Sequence, residues 1–167
     1  MLFLKEWKKH WVVQKNDKAG FILSGFEWLL RYKNFSEINY QGFQKQFDLE
    51  KAGTGQNNFK SIVRAIQDVY PKVNIKVKQY SSIQGTDKIF DIENLIVNNK
   101  PCIMSITLSK NGGWHIVPII AFDDDYFFVI WKSYNKKQIN LTLLSKTKLI
   151  YLNNNWPGGN DIAYIDD

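Results

Sequence analysis

The periodicity of the apolar residues changes after Pro101, and this change constrains the fold more than any other feature of the chain. Upstream, apolar residues recur at helical spacing, most clearly over residues 58–70. Downstream, short runs rich in β-branched and aromatic residues replace the helical pattern. These runs cover residues 102–108, 115–122 and 126–131. The order predicts an α+β fold in which N-terminal helices pack on a C-terminal antiparallel sheet.

Turn and cap residues predict where the elements begin and end. Asn-Gly-Gly at 111–113 and three consecutive aspartates at 123–125 separate the β-rich runs and are typical of turns. Ser24 and Glu27 have the spacing of a capping box, which predicts a helix from Ser24 onward. The pattern further predicts a helix over 87–98, a strand over 73–77 and a strand over 162–165. Residues 141–152 fit either a helix or a strand.

Length and composition favour one folded domain, which we assign to residues 1–167. The chain is 44% hydrophobic and 15% aromatic, which is enough for one core and too apolar for a disordered chain. No apolar run approaches the roughly 18 residues of a membrane-spanning helix. Lys5 and Glu6 interrupt the first apolar stretch, so the beginning lacks the core of a secretion signal. Because a single cysteine forms no intrachain disulfide, we expect a cytoplasmic, reducing location.

The chain carries a net charge of +6, from 22 Lys and Arg against 16 Asp and Glu. A net positive charge suggests nucleic-acid binding. However, only Arg31 and Arg64 are arginines, the residue type that best contacts phosphate and guanine. The lysines are spread along the chain rather than concentrated in one run. A basic nucleic-acid-binding domain is therefore an alternative that the composition disfavours.

Residues 112–126 combine several features in a fixed order. A glycine pair comes first, followed by Trp114 and by His115 at the mouth of a strand, then aliphatic residues and an acidic hairpin turn. This stretch resembles the histidine strand and hairpin of papain-like cysteine peptidases, and most of all the peptidases that process bacteriocin double-glycine leaders. The resemblance extends over residues 8–135 and implies a papain-like fold with His115 as the histidine of the active site.

The resemblance also implies positions for the other site residues. When Leu30-Arg31-Tyr32 is aligned with the end of the family's nucleophile helix, Phe21 takes the place of the catalytic cysteine. Gln14 lies upstream of that position, as the glutamine of the family's oxyanion hole does. The orienting Asp or Asn of the family follows its histidine by about sixteen residues, and Trp131 occupies that position here.

These replacements imply a protein without peptidase chemistry. A phenyl ring has no nucleophilic atom, and a tryptophan side chain has no acceptor that could hold an imidazole N–H. The resemblance therefore implies a catalytically degenerate pseudo-peptidase that binds a peptide or protein in the remaining substrate groove. His115 and Gln14 would be the remnant of the site, with Phe21 and Trp131 in the vacated positions.

Other interpretations of the same residues stay open. Cys102, the only thiol, would act with His115 in an active cysteine peptidase or amidase if the nucleophile had moved to the neighbouring predicted strand. Alternatively, Cys102 is a buried apolar filler, His115 an ordinary strand residue and Gln14 a surface residue. Phe21 and Trp131 would then be packing aromatics.

The sequence predicts no metal or cofactor site. His10, His115 and Cys102 do not have the spacing of metal ligands. Gly53-Thr54-Gly55 precedes a predicted helix, but the Lys-Ser/Thr pair of a phosphate-binding loop does not follow it.

Overall fold

The computed structural model describes residues 1–15, 20–47, 58–107, 114–132, 139–156 and 160–166. The strands are β1 (Leu2–Phe3), β2 (Ile75–Gln79), β3 (Cys102–Thr107), β4 (Trp114–Phe122), β5 (Tyr126–Lys132), β6 (Asn140–Ser145) and β7 (Asp161–Ile165). The helices are α1 (Gly20–Tyr32), α2 (Phe43–Gln46), α3 (Asn58–Val69), α4 (Gly85–Val97) and α5 (Lys146–Asn155). Within these residues, no helix is long and apolar enough to span a membrane.

All strand pairs are antiparallel and belong to one seven-stranded sheet with the order β2-β7-β3-β4-β5-β6. The short β1 pairs with the end of β4. The last strand in the chain, β7, lies between β2 and β3 and joins two parts of the sheet that are otherwise not paired. The predicted α+β class with an antiparallel sheet is confirmed.

Asp123 closes the predicted turn between β4 and β5. Its Oδ1 accepts hydrogen bonds from the backbone N–H groups of Asp125 at 3.0 Å and Tyr126 at 2.8 Å. Lys146, the first residue of α5, donates from Nζ to the carbonyl oxygen of Asp124 at 3.2 Å and pairs with Glu93 of α4 at 2.6 Å. The hairpin is therefore tied to the helices beside it.

One face of the sheet is covered by α1. Gly25 approaches β3 so closely that a Cβ on it would lie 3.4 Å from Cγ2 of Ile103. The helix also packs on β4 and β7. Beside it, the rings of Trp11 and Trp28 meet edge to face with centroids 6.3 Å apart, and both side chains are buried. This aromatic pair anchors the N-terminal segment to α1.

The opposite face of the sheet is covered by α4, with α5 packed beside it. Lys78 of β2 forms an ion pair with Asp91 of α4 at 2.5 Å. Lys78 lies opposite Ile162 of β7, which in turn lies opposite Met104 of β3. Residues directly opposite each other in antiparallel strands share a sheet face. Met104 therefore projects toward α4, and its neighbour Ile103 projects toward α1.

The predicted start of α1 needs correction. The helix begins at Gly20 rather than at Ser24. Ser24 and Glu27 are fully buried inside the helix, so they are not a capping box at its end. The Glu27 carboxylate has a different set of partners, described below.

Residues 141–152, which fit either a helix or a strand, contain both. β6 ends at Ser145, whose side chain caps α5 by accepting a hydrogen bond from the N–H of Lys148 at 3.3 Å. The turn predicted at 111–113 lies outside the described residues.

Candidate functional site

His115 lies near the start of β4, opposite Ile106 of β3, and is half-buried. Its Nε2 is 3.0 Å from the backbone carbonyl oxygen of Trp131 in β5. The imidazole and indole rings lie 4.5 Å apart between centroids, at an interplanar angle of 45°. A carbonyl oxygen can only accept, so Nε2 donates in this bond. The contact therefore orients the imidazole of His115.

The prediction that position 131 cannot hold the imidazole needs correction. The indole side chain of Trp131 has no acceptor, but its backbone carbonyl accepts the Nε2–H. The register between β5 and β6 shifts between Ile130 and Lys132, which leaves Trp131 as the extra residue of a bulge. Because a bulge turns backbone groups away from the regular ladder, it accounts for a carbonyl directed at a side chain.

Phe21, at the predicted nucleophile position, lies in the first turn of α1, and its side chain is outside the described residues. α1 covers the sheet face to which Ile103 projects. His115 pairs with Ile106, which is an odd number of positions from Ile103 and so projects to the other face. The register therefore directs His115 toward the α4 side of the sheet. The papain-like alignment requires the imidazole to face α1, and the strand register does not place it there.

Gln14 lies in the segment before α1 and is half-buried. Gln44 of α2 holds this segment through both neighbours of Gln14. Its Oε1 accepts a hydrogen bond from the Lys15 N–H at 2.9 Å, and its Nε2 donates to the Val13 carbonyl at 3.0 Å. The backbone around Gln14 is therefore fixed against α2, while an oxyanion-hole role for its side chain stays a prediction.

A buried polar network supports Gln44, and the sequence analysis missed it. The Glu27 carboxylate is fully buried and accepts hydrogen bonds from Gln44 Nε2 at 2.8 Å and from Arg31 Nε at 2.9 Å. The Arg31 guanidinium lies over the ring of Tyr40, 4.4 Å from its centroid. Burial raises the pKa of Tyr40 to about 12. The i, i+4 spacing of Glu27 and Arg31 is the one sequence signal that indicates this network.

Cys102 is fully buried at the start of β3, opposite Ile119 of β4 and Tyr164 of β7. Burial raises the pKa of its thiol well above the usual range, which disfavours the reactive thiolate. His115 pairs with Ile106, four positions further along β3, so about 13 Å of strand separates the two residues. The register does not bring Cys102 and His115 together as a dyad.

A second buried polar cluster lies beside β3 and β7. Lys88 of α4 donates from Nζ to the carbonyl oxygen of Ser105 at 2.8 Å, and Ser105 Oγ accepts a hydrogen bond from the Asp161 N–H at 2.8 Å. Burial lowers the pKa of Lys88 to about 7, although the Asp161 carboxylate acts in the opposite direction. Burial also raises the pKa of Asp161. The sequence analysis missed this cluster because lysine is rarely a buried residue of a helix.

In the part of the chain that the structure describes, no three His, Cys, Asp or Glu side chains cluster as a metal site requires. His10 packs against the ring of Tyr32, with centroids 5.2 Å apart.

No protein-family model and no curated protein matches this sequence. Solved structures are similar to it only at a low level. One is the Pseudomonas avirulence protein AvrPphB, which is 11% identical and has a TM-score of 0.35, over 96% of this chain and 98% of that one. A TM-score of this size does not assign a fold family. The α+β class rests on the helices and the antiparallel sheet themselves.

Proposed function

We propose that this chain is a non-catalytic peptide-binding domain. The single observation that carries the proposal is the position of Cys102. It is the only cysteine of the sequence, and its thiol is enclosed in the sheet. Cysteine peptidases need an accessible thiolate, and a thiol with a raised pKa inside a strand does not provide one. We therefore expect the chain to leave intact any peptide that it binds.

The contact between His115 and Trp131 agrees with one part of the papain-like resemblance, whereas the sheet face to which His115 projects does not. The resemblance places the orienting residue at position 131, and the imidazole makes its hydrogen bond with the backbone of that residue. The assignment to the double-glycine branch and the cytoplasmic location rest on the sequence pattern alone.

A peptide library tests the proposal directly. We expect the purified chain to bind a subset of extended peptides and, by mass spectrometry, to leave them intact after long incubation. If no peptide binds, the proposed function is wrong. If bound peptides are cleaved, and cleavage disappears in Cys102→Ala, the active-peptidase alternative is correct instead.

The thiol itself gives a second, independent measurement. We expect iodoacetamide to alkylate Cys102 of the folded chain at neutral pH about 100-fold more slowly than it alkylates free cysteine, because reaction requires local opening of the sheet. The same chain in urea serves as the control and should react at the rate of an ordinary thiol. Alkylation of the folded chain at or above the rate of free cysteine would show that the Cys102 thiol is accessible and would contradict a non-catalytic Cys102.

A further inference from the structure

The outer edge of β2 has a defined hydrogen-bonding pattern. The N–H of Tyr80 donates to the carbonyl oxygen of Asn160 at 3.2 Å, and the N–H of Asp166 donates to the carbonyl oxygen of Asn74 at 3.3 Å. Bonded and non-bonded pairs alternate in an antiparallel ladder. The even-numbered residues of β2 therefore bond to β7, and the odd-numbered residues direct their N–H and C=O groups outward. Among the described residues, β2 pairs with β7 alone.

The residues that carry the outward groups become more exposed along β2. Ile75 is buried, Val77 is half-buried and Gln79 is exposed. The part of the edge that can pair with another strand is therefore at Val77 and Gln79. An unpaired strand edge of this kind is a template for a further strand.

A groove runs along this edge, between β2 and α3. We call it the α3–β2 groove; it is lined by Lys60, Val63, Arg64 and Gln67 of α3 and by Ile75 and Val77 of β2. Its volume is about 320 Å³. The floor is apolar, because Val63 and Ile75 are buried. The groove therefore provides space for the side chains that an added strand would direct toward α3.

The polar rim of the groove is predominantly basic. Lys60 and Arg64 are exposed and one turn apart on α3, and neither forms an ion pair with any residue that the structure describes. The charge of Lys60 acts on the buried Asp161. Asp68 is the acidic residue of the rim. This arrangement favours a negatively charged occupant.

We propose that an extended, acidic segment of a partner protein binds here by adding a strand to β2. Its backbone bonds to the outward groups of Val77 and Gln79. On the strand face that is directed toward α3, its apolar side chains enter the α3–β2 groove and its carboxylates contact Lys60 and Arg64. A second copy of this chain is a poorer occupant, because it would bring the same positive charges together. The inference rests on the proposed function and specifies the surface and the chemistry of the bound peptide.

The first test uses the unmodified protein and a fluorescein-labelled peptide, measured by anisotropy. Every second residue of the peptide is threonine, and the residues between are valine and glutamate in turn, so that valine and glutamate share one strand face. The matched peptide carries N-methyl groups on alternate residues, so that it lacks the N–H donors of its pairing edge. We expect the N-methylated peptide to bind at least about tenfold more weakly, because strand addition depends on main-chain hydrogen bonds. A single-stranded DNA oligonucleotide measures the contribution of charge alone.

The second test uses a double variant, Lys60→Glu with Arg64→Glu. We expect it to weaken binding of the acidic peptide about tenfold or more. The control is Lys45→Glu with Lys148→Glu, which makes the same change in net charge at two exposed positions on α2 and α5. Binding by this control should stay within about twofold of the unmodified chain.

Each other outcome overturns the inference in a recognisable way. If library peptides bind but are insensitive to N-methylation and to the α3 variant, the peptide site lies elsewhere, and the proposed function stands without this surface. Tighter, salt-sensitive binding of the oligonucleotide that the α3 variant abolishes would identify a nucleic-acid surface instead. Self-association that the same variant abolishes would identify a second copy as the occupant. An edge that binds nothing, while library peptides bind elsewhere, would mean that Lys76 serves only to prevent edge pairing.

Discussion

At the scale of single residues, His115 takes its orientation from a main-chain carbonyl rather than from a side chain. The bond therefore depends on the bulge at Trp131 and not on the indole, so that other residues at position 131 would preserve it while the bulge persists. The indole contributes ring packing instead. The sequence shows that residue 131 is a tryptophan, but it does not show the backbone bulge that directs the carbonyl oxygen of this residue at His115.

Lys88 predicts how stability depends on pH. Its pKa is about 7 in the folded chain and 10.5 as an ordinary value. Between these values the unfolded chain binds the proton and the folded chain does not, so stability rises as the pH increases from about 7 toward 10. We expect the urea midpoint to rise over pH 7 to 9.5.

The control for this prediction is Lys88→Met, which removes the titrating group and keeps an unbranched side chain in the same space. The rise with pH should disappear in this variant. Tyrosine ionisation does not account for the rise, because burial raises the pKa values of Tyr32, Tyr40 and Tyr80 above 10. An equal rise in Lys88→Met would show that another group is responsible.

At the scale of elements, α1 is joined to α2 and to the segment before it by polar contacts as well as by aromatic packing. Glu27 is the centre of these contacts, because its two carboxylate oxygens bind Arg31 and Gln44, and Gln44 holds the backbone on both sides of Gln14. A buried carboxylate with two partners is costly to disrupt, since its loss leaves those partners without an acceptor. The position of the segment around Gln14 therefore depends on a residue in the middle of α1.

We expect Glu27→Ala to lower the free energy of unfolding by about 3 kcal/mol, as measured by urea denaturation. Glu37→Ala is the control, because Glu37 is exposed, and its effect should stay within about 0.5 kcal/mol. Equal effects of the two substitutions would contradict the assigned role of Glu27.

Helices and strands in which apolar residues recur at a regular spacing were predictable from sequence. The residues at which they end and the elements with which they pair were harder to predict. The helix expected over 58–70 corresponds to α3, because its stripe of apolar residues faces the core. Ser24 and Glu27 misled the assignment of α1, since residues three apart share a helix face inside a helix as well as at its start. The position of His115 on a strand was predictable, but the sheet face to which it projects depends on the register with β3.

At the scale of the whole molecule, β7 connects the two parts of the sheet. It pairs with β2 on one side and with β3 on the other, and its residues Ile162, Ala163 and Ile165 are buried. No local pattern indicates these partners, because strand pairing across so many residues is set by the folded chain rather than by neighbours in sequence.

A chain that stops after Asn160 lacks β7, which removes the strand partner of β2 among the described residues and exposes one edge of β3. We expect it to lose cooperative thermal unfolding, measured by circular dichroism, and to bind a hydrophobic dye. A chain that stops after Ile165 is the control and should unfold cooperatively. Cooperative unfolding of both chains would show that β7 is dispensable.

The central place of β7 has a consequence for synthesis on the ribosome. The chain emerges from its N terminus, so β2 and β3 leave the ribosome long before the strand that joins them. Until residues 161–165 have been synthesised, each nascent chain exposes strand edges that can pair with a second nascent chain on the same polysome. The interval between the synthesis of β3 and the synthesis of β7 therefore sets how long these edges stay exposed.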